Sequence, residues 1–175
     1  MNDKPSPAHF YPLITTAAEA NGLNWWLLYG VIEQESSFDP HAISPCGALG
    51  LMQLMPASFP AWARTSLLDA HNNVKLGASF LRQCIAMWTE ESPDEAIQFG
   101  LGSYNGGSGY VLAAQALVQR DGLPGHRWAE VAPQLPFAVC QGKHCDADQM
   151  RDYVAAIWAK YAARRIAPPP TEVAA

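Results

Sequence analysis

No run of Lys or Arg occurs anywhere in the 175 residues, and the net charge is -5. A nucleic-acid binder would carry a basic face, so that class is set aside. There is no basic amphipathic helix of the membrane-disrupting kind. No apolar run is long enough to cross a bilayer, so no stable membrane insertion is expected. Residues Met1 to Pro7 do not lead into the apolar core of a secretory signal. The chain is therefore expected to be made in the cytoplasm and released by another factor, unless a signal is missing from the given sequence. Charged residues make up only 15%, below the usual quarter, which argues against a disordered or coiled-coil protein. A paired CxxC framework is absent, and no internal repeat or second domain is visible.

What is present suits one folded domain. Hydrophobic residues account for 49%, and six Trp, six Tyr and six Phe supply aromatic surface for a core and for stacking on sugar rings. The patterning predicts a mainly α protein with a small β-hairpin or irregular loop. Helices are expected over 9–20, 24–35, 56–63, 72–88, from the Ser92-Pro93-Asp94-Glu95 start to about Gly102, over 109–119, and from about Met150 onward. Residues 40–55 read as irregular, with a hairpin around Leu49 to Leu54. Residues 120–145, rich in Pro and Gly, read as a long connection. The expected organisation is an extension over 1–8, a domain over 9–163, and a disordered Pro-rich tail over 164–175. Cys84 reads as a buried thiol. Cys140 and Cys145 flank a short loop and read as free thiols or a disulfide. With His144 they lack a fourth ligand, so neither a metal nor a cofactor is expected.

The residue that carries chemistry is Glu35. Asn24 can cap a helix in which Leu28, Val31 and Ile32 form an apolar stripe, and Glu35 continues that stripe. Glu33 falls on the opposite side. A carboxyl group against apolar walls has its charged form disfavoured, so it can remain protonated and serve as a general acid. Directly after it comes a Gly-rich, mostly uncharged loop, Ser44 to Pro56. Gly47 and Gly50 permit tight turns there. Gln53 offers an amide to a sugar N-acetyl or hydroxyl group. Met52 and Met55 offer adaptable apolar surface, Met52 reading more as core than as site. Far along the chain, Gly102-Ser103-Tyr104-Asn105-Gly106-Gly107 places an aromatic and an amide in what reads as a helix-ending turn.

Together these segments resemble the soluble lytic transglycosylase family, whose members have a lysozyme-like fold. The family pattern is ES-x-F-x-P-x-A-x-S-x-x-G-A-x-GLMQ-hydrophobic-MP. Here it reads Glu35-Ser36-Ser37-Phe38-Asp39-Pro40-His41-Ala42-Ile43-Ser44, then Gly47-Ala48-Leu49-Gly50-Leu51-Met52-Gln53-Leu54-Met55-Pro56. Asn72-Asn73-Val74 with Gly77 and Leu81 is similar to a later helix of the family. Ser103-Tyr104-Asn105-Gly106-Gly107 is similar to its AYNAG motif, with Ser and Gly in place of the two alanines. Arg151-Asp152-Tyr153-Val154 is similar to its last helix.

The resemblance implies a peptidoglycan-cleaving enzyme with Glu35 as the sole acid and base. Ser44, Gln53 and Met55 would line the cleft, with Tyr104, Asn105 and Tyr153 contributing from the later motifs. Its substrate would be the β-1,4 bond between N-acetylmuramic acid and N-acetylglucosamine, and its product a 1,6-anhydro sugar. Ordinary glycosidases use two carboxylates, and the sequence offers no convincing second one. Three alternatives stay open: a muramidase on the same fold that recruits Asp39 or a residue from 120–145, a non-catalytic glycan-binding or structural virion component, and an interaction domain that only shares the fold. The expected partner is the peptidoglycan glycan strand, met by a monomer. The expected setting is phage lysis or a virion, or else the periplasm.

Overall fold

The computed structural model describes residues 4–170. These residues form two compact units, 4–79 with 159–170, and 80–158. Residues 1–3 and 171–175, the ends of the expected extension and tail, lie outside the described residues.

In the first unit a 3-10 turn, Pro7–Phe10, leads into α1, Tyr11–Asn21. Pro12 explains the break in what reads as one helix, because proline lacks an N–H and is tolerated only in a first turn. Gly22, at φ 60, ends α1 in the left-handed region. Helix α2, Trp25–Ser36, begins as the sequence predicts: Asn24 accepts the Trp26 N–H at 2.9 Å. Leu28, Val31 and Ile32 have no exposed surface. At about 1.5–3 kcal/mol for each fully buried side chain, this stripe holds the helix in place.

The loop after α2 is more irregular than a hairpin. Leu49 pairs with Ile43 on one side and Leu54 on the other, as isolated bridges. Gly50 and Gln53 lie between the Leu49–Leu54 partners, at φ 74 and 47, and left-handed residues interrupt a ladder. The helix expected over 56–63 is split into a 3-10 turn, Pro56–Ser58, and α3, Ala61–Arg64. Pro60 stands at the break, where an interior helical N–H would be needed. Helix α4, Ala70–Ala86, follows, with Asp69 accepting the Asn72 N–H at 2.8 Å.

In the second unit Ser92 caps α5 as expected, but the helix runs Pro93–Gly106, past Gly102. Gly102 is there for packing rather than termination. A Cβ on it would sit 2.6 Å from the Trp128 ring. The stop comes at Gly107, whose φ of 102 only glycine adopts readily. Helix α6 is Ser108–Arg120. Gly100 brings α5 against the backbone at the end of α4, since a Cβ there would lie 2.8 Å from Ile85 Cα and 3.0 Å from its N. Gly100→Ala is therefore expected to cost about 1–3 kcal/mol, read as a lowered midpoint in thermal unfolding. An unchanged midpoint would mean the two helices can separate freely.

Residues 120–145 are not the structureless connection that their composition suggests. They hold α7, Trp128–Val131, a 3-10 turn, Ala132–Phe137, and a hairpin of β1, Val139–Cys140, with β2, Lys143–His144. Val139 pairs with His144, and Cys140 with Lys143. Two carboxylates at the start of α5 receive this segment. Glu95 accepts the Trp128 N–H at 2.6 Å. The buried Glu91 meets His126 at 2.9 Å and Gln115 at 3.0 Å, and Gln115 also donates to the Gly125 carbonyl.

The final helix, α8, is Ala147–Arg164. The tail expected to be disordered from residue 164 keeps contact with α2 as far as Ala167, whose carbonyl accepts the Trp26 indole N–H at 3.0 Å. Among the described residues no helix is long and apolar enough to cross a membrane.

All four cysteines are free thiols. Burial pushes the Cys84 thiol up to about 11, so it is an inert core group. Burial also raises Cys145.

Candidate functional site

Four of the seven residues singled out from sequence, Glu35, Ser44, Gln53 and Met55, belong to the first unit. Tyr104, Asn105 and Tyr153 belong to the second. Glu35 stands half-buried in the last turn of α2. Ser36, the next residue, ties that turn to the loop: its hydroxyl donates to the Leu51 carbonyl at 2.9 Å and lies 3.2 Å from that of Ile32.

The chain then reverses through two left-handed residues, Ser37 at φ 49 and Phe38 at φ 65. Neither is glycine, and such residues cost on the order of 1–3 kcal/mol each. The Phe38 ring offsets this. It is buried, 4.8 Å from Tyr29 and 6.3 Å from Phe10 between ring centres.

The loop has an internal organiser that the sequence marks only as part of a family-like helix. Asn73, fully buried on α4, donates to the carbonyls of Leu49 at 2.8 Å and Leu67 at 2.7 Å, and accepts the Met52 N–H at 2.8 Å. One amide thus holds three points of backbone. Gly50 lets it approach, because a Cβ there would lie 2.5 Å from the Asn73 side-chain nitrogen. Gly77 does the same for Met52, whose sulfur would be 2.5 Å from a Cβ at that position. Met52 is fully buried and is core, as the sequence favours. The available signal for Asn73 was an amide beside an apolar position in a helical stripe, where a polar group must be satisfied.

Ser44 and Gln53 brace the loop as well. The Ser44 hydroxyl accepts the Ala48 N–H at 2.9 Å. Gln53 donates its amide N–H groups to Gly50 at 2.9 Å and Ala42 at 3.2 Å. These bonds employ its nitrogen, so its carbonyl oxygen is the part suited to accept from a ligand. Met55 is exposed at 39% of its surface and closes the loop ahead of Pro56.

Three further acids of this unit have partners within the fold. Glu33 receives Lys160 at 2.7 Å. Asp39 accepts the His41 N–H at 2.9 Å. Asp69 caps α4. Burial raises the Tyr29 phenol above its ordinary value, and the nearby charge of Glu33 adds to this.

In the second unit Tyr104 and Asn105, read from sequence in a helix-ending turn, occupy the last turn of α5, both half-buried. The Tyr104 ring lies 5.2 Å from that of Phe80. Ser103, where the family pattern has alanine, donates to Phe99 O at 2.8 Å and accepts the Trp88 indole N–H at 3.1 Å. Gly106, the second departure, faces Met150: a Cβ would meet its methyl group. Tyr153 is buried at 5% exposure on α8. Among the described residues no group of His, Cys, Asp and Glu is placed to hold a metal ion.

The chain is similar to known proteins. The chain is 36% identical over 129 residues to membrane-bound lytic murein transglycosylase F of Desulfosudis oleivorans, covering 73% of this chain and 28% of that protein. It is 38% identical over 120 residues to the protein of the same name from Salmonella arizonae, covering 67% and 23%. The chain thus spans about a quarter of the length of these curated relatives.

Two solved structures are also similar. One is an inactive Glu-to-Gln mutant of lytic transglycosylase Slt from Pseudomonas aeruginosa, with a TM-score of 0.65 at 23% identity, over 90% of this chain and 25% of that one. The other is the 70 kDa soluble lytic transglycosylase from Escherichia coli, with a TM-score of 0.64 at 24% identity, over 94% and 25%. These two likenesses establish the mainly α fold. The transglycosylase SLT domain family matches residues 12–122, and the chain belongs to that family.

Proposed function

We propose that the protein is a peptidoglycan lytic transglycosylase that cleaves the β-1,4 bond between N-acetylmuramic acid and N-acetylglucosamine. One observation carries the reading of Glu35 as the acid: it stands half-buried in the last turn of α2, which Ser36 ties to the braced loop. The inactivity of a Glu-to-Gln mutant of the Pseudomonas structural relative supports a carboxyl group as the working part. The names of the murein transglycosylase relatives support the substrate.

In this reading Glu35 protonates the leaving oxygen as the bond from C1 breaks. The substrate's 2-acetamido oxygen stabilises C1, a recognised alternative to a second carboxylate. Glu35, now a base, takes the proton of the muramyl 6-hydroxyl. That oxygen then bonds to C1, and the acetamido group is released. No water is consumed. Gln53, Ser44 and Met55 bind the sugar beside Glu35, and the family resemblance assigns Tyr104, Asn105 and Tyr153 to substrate binding as well. Preorganised dipoles stabilise the charged intermediate, and the braced Gln53 amide suits that task.

Purified peptidoglycan digested with the protein is expected to yield muropeptides with anhydro ends, lighter by one water than hydrolytic products. Reducing ends in their place would assign the protein as a muramidase. No release would leave a glycan-binding role.

A further inference from the structure

Helix α2 is splinted along its length by the end of the chain. Lys160, on α8, reaches the Glu33 carboxylate at 2.7 Å. Arg164, one helical turn on, lies over the Trp26 ring at 5.2 Å. The Asn24 side-chain N–H donates to the Arg165 carbonyl at 2.9 Å, and the Trp26 indole N–H to that of Ala167 at 3.0 Å. The contacts run from position 24 to position 33, on the order of 14 Å of helix at 1.5 Å per residue. The first of them lies in the same terminal turn as Glu35. Glu33 and Glu35 face different sides, so the strut grips that turn from the side away from the acid.

We propose that Lys160, acting through Glu33, is a positioning residue for Glu35. The inference rests on Glu35 being the acid, as proposed above. Two consequences follow from the geometry. The strut fixes the rotation of the last turn, and an acid misplaced by about 1 Å loses about a hundredfold in rate. Lys160 also balances a second carboxylate within one turn of the reacting one. Both partners keep over a third of their side-chain surface in water, at 41% and 34%. The pair is therefore a small contributor to stability, and its main effect is on the placement of Glu35.

The test uses the intact protein and soluble peptidoglycan glycan strands, with kcat and KM measured separately. Lys160→Met is expected to lower kcat about tenfold with KM within twofold. Lys160→Arg is expected to restore most of it. The charge-swapped pair Glu33→Lys with Lys160→Glu is expected to exceed either single swap, which a purely local packing role would not produce. A kcat within twofold of the unaltered protein in Lys160→Met, a loss confined to KM, or a swapped pair no better than its singles would each overturn the proposal. Glu35→Gln in the same assay separates the two readings. If it stays active, the assignment of the acid fails. If it is inactive while Lys160→Met is unaffected, only the strut fails.

Discussion

Glu35→Gln is expected to reduce peptidoglycan cleavage by about a thousandfold while leaving the thermal midpoint within about 2 °C. General acid and base work contributes roughly 10²–10⁴-fold, and in the proposed cycle one carboxyl group performs both steps. Gln keeps the shape and removes the transferable proton. The side chain is half-buried at a helix end, so the substitution should leave the fold intact. Muropeptide release measured by mass spectrometry, with circular dichroism on the same sample, checks both halves. Retained cleavage would mean that another group is the acid. Asp39 is the first to examine, because it follows Glu35 closely in the same loop, where it accepts the His41 N–H.

The largest loss of stability is expected from Asn73→Ala. The substitution removes no large apolar surface, yet it takes the Asn73 partner from the Leu67 carbonyl and the Met52 N–H, while the Leu49 carbonyl keeps the Leu54 N–H at 2.9 Å. Each buried group left unpaired costs about 1–3 kcal/mol. Allowing for partial rescue by water, a total of about 4 kcal/mol is expected. At about 2–4 °C per kcal/mol for a chain of this size, the midpoint should fall by roughly 8–16 °C. Asn72→Ala is the control, since that residue contributes its backbone N–H to the Asp69 cap, and it should shift the midpoint little. Equal effects at both positions would show that the buried bonds of Asn73 contribute little.

Much of the first unit was legible in the sequence because it is built from local rules. The Asn24 cap, the Leu28-Val31-Ile32 stripe and the position of Glu35 after it need only helical periodicity. The Glu35 to Pro56 motif was legible as a pattern, and the structure supplies its physical reasons. Gly50 and Gly77 are there because Asn73 and Met52 press against them.

What was not legible depends on partners distant in sequence. The extension of α5 past Gly102 is set by Trp128, which fills the space that a Cβ would take. The order in 120–145 is set by Glu91 and by Glu95, which read in sequence as part of an ordinary helix start. Lys160 gave no signal, because its partner Glu33 lies 127 residues away.

The reversal at Ser37 and Phe38 has a consequence for portability. Its left-handed geometry is not written in glycines, which would adopt it anywhere. It depends on the Phe38 ring finding Tyr29 on the preceding helix and Phe10 near the start of the chain. The motif from Glu35 to Pro56 is therefore not a module that carries its own shape. Grafted onto another helix end without those two rings, it would keep every residue of the pattern and lose the bend that ends the helix just beyond Glu35.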